Sequence, residues 1–147
     1  MGVAPGLGCE RFTLETWFQR TGAGVSASTG TGGVVAIPLV TKGRAEADGD
    51  NRDLNYFLGI HATDGVLVAD FEEGAGGTRP GKNHPVVGVT AVTSDVWHHA
   101  AASYDGTKWQ LFLDGELEAE LIVGRPPRGD SIQHAALGGA LNSSGAR

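Results

Sequence analysis

Two Asp-Gly dipeptides, Asp105-Gly106 and Asp114-Gly115, divide residues 97–123 (WHHAAASYDGTKWQLFLDGELEAELIV) into three short runs. Asp-Gly suits a two-residue type I′ hairpin, because that turn needs positive φ at both central positions and glycine adopts it without a Cβ clash. Trp109, Leu111 and Leu113 share one parity in the middle run. Leu117, Ala119 and Leu121 share one in the next, and Glu116, Glu118 and Glu120 take the other. A period of two puts one face on a core and one in water. The stretch therefore predicts an antiparallel three-strand meander, and the chain an all-β, layered protein.

The remaining sequence supports the same class. Residues 11–20 carry Phe12, Leu14, Thr16 and Phe18 on one parity, with Trp17 on the other. Residues 34–43 resume a strand pattern interrupted by Pro38, which lacks a ladder donor and belongs at an edge, a bulge or a strand start. Residues 54–61 and 65–71 read as a hairpin joined across Ala62-Thr63-Asp64-Gly65, and 86–92 as a short β-branched strand. Residues 133–137 read as a last strand. Twenty-four glycines among 147 residues, with 40% hydrophobics, suit many short strands better than helices. Residues 21–33 and 72–85 are small, polar and Gly-rich, and are expected to be the most mobile loops. No linker or repeat divides the chain, so residues 1–147 are expected to form one domain, a two-sheet antiparallel β-sandwich.

Seventeen acidic against eleven basic residues give a net charge of −6 with no basic cluster, which excludes a nucleic-acid partner. No apolar run is long enough for a membrane helix. The single cysteine, Cys9, excludes an internal disulfide and is read as a small residue beside the first strand.

Residues 97–106 (WHHAAASYDG), followed by WQLFLDG at 109–115, resemble the W-x-H-x-A-x-x-Y-D-G…L-x-L-Y-x-D-G signature of laminin-G-like domains of the concanavalin A-like lectin/glucanase superfamily. FTLETWF at 12–18 resembles that family's early F-T-x-E-x-W strand. The resemblance implies a jelly roll, an extracellular or cell-surface setting, and a non-catalytic module that binds carbohydrate or a cell-surface protein. It also implies calcium at a sandwich edge, without assigning ligands. Its glucanase branch makes a glycoside hydrolase fragment one alternative, and a structural domain without ligand is the other.

Several residues are candidates for chemistry. Acids at Glu46, Asp48, Asp50 and Asp53 surround Gly49, and a Gly-bearing loop can wrap carboxylates around calcium, so Asp48, Asp50 and Asp53 are the candidate metal ligands. The Glu46-x-Asp48 pair invites comparison with retaining glucanases, which need two carboxylates about 5 Å apart. Here the pair is expected on a loop, and Asn51 stands where a third acid is needed. His98 and His99 are adjacent on a strand, so they face opposite ways and cannot share a metal. Arg128-Gly129-Asp130 is the tripeptide that integrins read, placed in a Pro-rich loop. Trp97 and Trp109 are expected in the core, whereas Trp17, Tyr56 and Tyr104 are the aromatic candidates for stacking on a sugar.

The resembled family has a strand before FTLETWF and another after residue 145, and this sequence shows neither. Their absence is expected to uncover a ladder edge, which invites a symmetric homodimer by edge pairing. Light scattering coupled to size exclusion tests this expectation: a homodimer has twice the 15.2 kDa chain mass.

Overall fold

The computed structural model describes residues 1–147. Positive φ at both Asp114 and Gly115 closes the second turn of the meander as a type I′ hairpin. The first turn is different. Asp105 and Lys108 pair through an N–H···O bond of 3.3 Å, so Gly106-Thr107 is the loop, with positive φ at Gly106 alone. That is the glycine placement of a type II′ turn. The Asp105 carboxylate accepts N–H bonds from Thr107 and Lys108 at 2.8 and 2.7 Å.

Around the meander the chain builds two antiparallel sheets. One contains β1 (Phe12–Gln19), β7 (Trp97–Tyr104), β8 (Lys108–Leu113) and β9 (Glu116–Ile122) in the order β1-β7-β8-β9. The other contains β3 (Val35–Lys42), β4 (Tyr56–His61), β5 (Val66–Asp70), β6 (Val86–Ala91) and β10 (Ala135–Leu137) in the order β10-β3-β4-β5-β6. A two-residue strand, β2 (Ala27–Ser28), also pairs with β3. Pro38 lies at a register shift between β3 and β4, where its missing donor costs least. A single 3₁₀ turn, Pro5–Leu7, precedes β1.

The sheets meet over an apolar core that includes Leu14, Phe18, Leu58, Ile60, Leu67, Ala100, Ala102 and Leu111. Five rings gather at one end of it. Phe12 lies 5.1 Å from Tyr56, Phe71 lies 4.8 Å from Tyr104, and Trp109 meets Phe12 and Phe71 edge-on at 5.6 Å. The polar atoms of Trp109 and Tyr104 are satisfied, as buried Tyr and Trp require. Trp109 Nε1 donates to the His84 carbonyl, and the Tyr104 hydroxyl donates to the Arg125 carbonyl at 2.6 Å while accepting that residue's N–H.

β5 is buried at every position. Leu67 and Ala69 face the first sheet, while Val68 belongs to a second, smaller cluster with Val34, Ala36, Leu54, Phe57 and Ala140. The outer face of the second sheet is therefore covered as well. The two Gly-rich loops contribute to the cover: residues 21–33 supply β2 and the fully buried Thr29, and residues 72–85 begin and end with buried Glu72, Glu73, Asn83 and His84.

Two readings need correction. Trp97 is 62% exposed, because it opens β7 on the same face as His99, opposite the buried set His98, Ala100, Ala102 and Tyr104. The alternation of β9 is broken by a bulge: Leu111 pairs with Ala119 but Phe112 pairs with Leu117, which leaves Glu118 as the extra residue. Leu117 is thrown to the outside, and Glu118 Oε2 reaches β6 and accepts the N–H groups of Val89 and Thr90 at 2.8 Å each.

The edge beyond β10 is lined by the first residues of the chain. The Ala135 N–H donates to the Gly2 carbonyl, the terminal ammonium donates to the Ala135 carbonyl, and the buried Lys42 ammonium donates to the Val3, Ser131 and Gln133 carbonyls. The β1 edge has no strand beside it.

Truncating the fully buried Leu111 to Ala should cost about 2–5 kcal/mol in a urea series, the range for a buried leucine. Glu118→Ala should cost about 1 kcal/mol, because a half-exposed charged acceptor of two N–H groups is screened by water. Burial raises the Glu118 carboxyl, but the Thr90 and Val89 N–H groups outweigh it and hold the value below the ordinary glutamate range. Its contribution should be complete above about pH 4.5 and lost as pH falls through the lowered value, so parent and Glu118→Ala should converge in acid.

Candidate functional site

Three surfaces of the sandwich carry chemistry. On the outer face of the four-stranded sheet, β1 and β7 pair so that Trp17 opposes His99 and Gln19 opposes Trp97. Trp17 and Trp97 are therefore diagonal neighbours. They are 66% and 62% exposed, and the Trp17 ring lies 5.2 Å from the His99 ring. Glu15 flanks them with its carboxylate 3.7 Å from His99 Nε2. His98 faces inward, its Nδ1 2.7 Å from Asp114 Oδ2, while Asp114 Oδ1 accepts the His99 N–H at 2.7 Å. That N–H and the His98 ring hold the Asp114 carboxyl below its usual range. The hairpin aspartate thus fixes the strand that presents the indoles.

Of the three aromatic candidates from the sequence, only Trp17 is on the surface. Tyr56 and Tyr104 are buried in the ring cluster, since their positions alternate toward the opposing sheet, and they have no face to offer a ligand. Trp97 joins Trp17 instead. Its signal was parity: it shares a face with His99, Ala101 and Ser103.

The second surface is a hollow of about 460 Å³ between residues 73–84 and 121–125. Arg79, Lys82 and Arg125 line it, and none of the three is in an ion pair. On its floor His84 Nε2 lies 3.1 Å from Glu73 Oε2, and Glu73 Oε1 accepts the Arg79 N–H. Burial pushes the His84 ring down, and the neighbouring Lys82 and Arg125 charges push the same way against Glu73. A cationic hollow in a chain of net charge −6 is a local reversal of sign.

The third feature is a cluster of oxygens at the end of β4 and β5. Carboxylate oxygens of Asp48, Asp53 and Glu72 lie within 4.8 Å of one another. Asp53 lies shortly before β4, separated from it by Leu54 and Asn55, and Glu72 lies shortly after β5, separated from it by Phe71, so antiparallel pairing brings two residues distant in sequence to one place. Asp50 is outside the cluster. Its carboxylate turns to Arg52, accepting the N–H at 2.9 Å and pairing with the guanidinium at 3.4 Å. Glu72 takes its place, and no loop-local pattern marks it. Burial pushes the Asp53 carboxyl up to about 8, with the Glu72 charge adding to it, and burial raises Glu72 as well. The donors are all hard oxygens, a set that fits calcium or magnesium and not zinc or copper.

Two further motifs are placed differently from their sequence readings. Glu46 is held by Ser143 and Gln133 Nε2, apart from Asp48 and its cluster. Arg128 of the Arg-Gly-Asp tripeptide is 2% exposed and bonded through Nε to Glu72 Oε1, so the tripeptide is not presented to a partner.

Residues 5–146 match the laminin-G branch of the concanavalin A-like lectin/glucanases superfamily, and the chain belongs to that superfamily. Among solved structures it is similar to the CBM40 of Ruminococcus gnavus IT-sialidase bound to α2,3-sialyllactose, with a TM-score of 0.67, 17% identity, and coverage of 97% of this chain and 71% of that one. A second structure of that CBM40 gives a TM-score of 0.66 at 18% identity, over 97% and 72% of the two chains. No curated protein matches it in sequence. The two-sheet antiparallel sandwich read from the turns and strand pattern is the observed fold, and it is the jelly roll that the resemblance implied.

The exposed indoles should be nearly free of structural duty. Trp17→Ala and Trp97→Ala should each change the unfolding free energy by less than about 1 kcal/mol, whereas Trp109→Ala should cost about 3–5 kcal/mol. Urea denaturation of the three variants checks the assignment.

Proposed function

We propose that the protein is a non-catalytic carbohydrate-binding module whose sugar contact is the Trp17–Trp97 face. The observation that carries this reading is the pair of diagonal, two-thirds-exposed indoles on a strand pair held by Asp114. Pyranose rings present flat C–H faces, and an aromatic plane with polar neighbours recognises them; here Glu15, Gln19 and His99 flank the indoles. Surface indoles cost solubility and contribute little to folding, so their exposure calls for a ligand. The superfamily and the sialidase CBM40 relatives support the reading at the level of fold.

The cationic hollow favours a second reading. A sialylated sugar carries a carboxylate, and Arg79, Lys82 and Arg125 would meet it without displacing an existing ion pair.

A glycan array with neutral and acidic panels, followed by calorimetry on the best hit, tests both readings. Trp17→Ala should weaken binding about tenfold, the loss of about 1.4 kcal/mol from one stacked ring. Binding that survives Trp17→Ala and Trp97→Ala but is lost in Arg79→Ala would move the site to the hollow. Silence across the array would remove the carbohydrate reading.

A further inference from the structure

The outward residues of the four-stranded sheet line up in rows that cross all four strands. Register fixes one row as Glu15, Ala101, Phe112 and Leu117, and the next as Thr13, Ser103, Gln110 and Glu120. Opposed side chains of an antiparallel pair stand about 5 Å apart at Cβ, so each row is continuous. Trp17 and Trp97 flank the first row, on the side away from the second.

The two rows differ in chemistry. Leu117 is 52% exposed and Phe112 is half-buried, so the first row carries the apolar surface of the indoles on to the far edge of the sheet. The bulge in β9 is what makes this so, because without the slip Phe112 would face Glu118 instead of Leu117. Ala101 has only a methyl, which leaves a trough between Trp17 and Phe112. Adjacent strands lie about 4.8 Å apart, so the path from β1 to β9 spans about 14 Å, longer than one sugar ring. The second row is polar. Thr13 Oγ1 and Ser103 Oγ are hydrogen-bonded at 3.0 Å, and Gln110 Nε2 donates to Glu120 Oε2 at 2.7 Å. These bonds fix the side chains, while Gln110 Oε1 and the two hydroxyls keep bonding capacity for a ligand. Each row holds one carboxylate, Glu15 or Glu120, and the lysine on this face, Lys108, is already paired with Glu120 at 3.4 Å.

We propose that this face binds an uncharged, extended β-linked glycan along its length, lying across the strands from the indoles through Phe112 to Leu117. The inference rests on the reading of the Trp17–Trp97 face as a sugar contact and adds the class of sugar. Equatorial linkages keep successive pyranose rings in a flat ribbon, with C–H faces toward the protein and hydroxyls along the edges. One chain can therefore meet the apolar row and the polar row together. The open face of a sheet has no wall to enclose a chain end, and a polyanion would be repelled by Glu15 and Glu120.

Affinity electrophoresis of the full chain through gels containing mixed-linkage β-glucan, β-mannan or xylan should show retardation by at least one of these neutral polymers, and none by the acidic hyaluronan. Calorimetry with oligosaccharides of the retarding polymer should give an affinity that rises about tenfold from disaccharide to hexasaccharide, as Phe112 and Leu117 come into reach. Phe112→Ala should cost the hexasaccharide about fivefold and leave the disaccharide within about twofold, whereas Trp17→Ala should weaken both. Ala101→Leu fills the trough from an outward position, and should weaken the hexasaccharide about tenfold even if Phe112→Ala fails to fold. Equal affinity for disaccharide and hexasaccharide, or retardation by hyaluronan alone, would overturn the proposal; a loss in Trp17→Ala would then leave the sugar-binding reading standing. No retardation by any polymer, with a dimer that Phe112→Ala dissociates in light scattering, would overturn it in favour of a second copy on this face. No retardation with a monomer would overturn it outright.

Discussion

The structure depends on β5 being buried on both faces. A strand in a two-layer sandwich needs cover on one side only, and its other side is ordinarily polar. Here Val68 and the fully buried Asp70 point away from the partner sheet, so the loops must close over them. Thr29 is part of that closure: its hydroxyl donates to Asp70 Oδ2 at 2.6 Å, and Asp70 Oδ1 accepts the His84 N–H. Burial pushes the Asp70 carboxyl up to about 8, against these donors. The polar groups gathered beneath the loops follow from this demand, because loop backbone brought over a sheet must find partners inside.

The two faces of the molecule are thereby given different work. The four-stranded sheet keeps its outer surface bare, and its indoles are held by strand pairing alone. The five-strand path carries a second small core and the buried acids under its loops. A change in the buried oxygens bears on the order of the loops, while a change at Trp17 bears on the surface.

The fold was legible wherever one side chain in two is apolar and a turn is short. Residues 12–18 and the meander show this, because period and turn chemistry are local properties. Trp97 was misread as core because a large ring suggests burial more strongly than its parity denies it. The bulge at Glu118 was invisible, since alternation continues through the sequence GELEAEL while the ladder slips by one residue. Asp48 and Asp53 stand out in an acidic loop. Glu72 does not, because what gives it meaning is the pairing of β4 with β5. That is a contact between distant residues, and no window of the sequence contains it.

The carboxylate of Glu118 has a consequence for the protein in crowded solution. β6 is the last strand of its sheet, and it carries Val87 and the 80%-exposed Val89 outward. A β-branched strand with open backbone donors is the kind of template on which cross-β aggregates grow. Glu118 occupies two of those donors from within the same molecule and places a negative charge beside them. The slipped residue of β9 thus acts as a gatekeeper against self-assembly, supplied across the sandwich by the neighbouring sheet rather than by β6 itself.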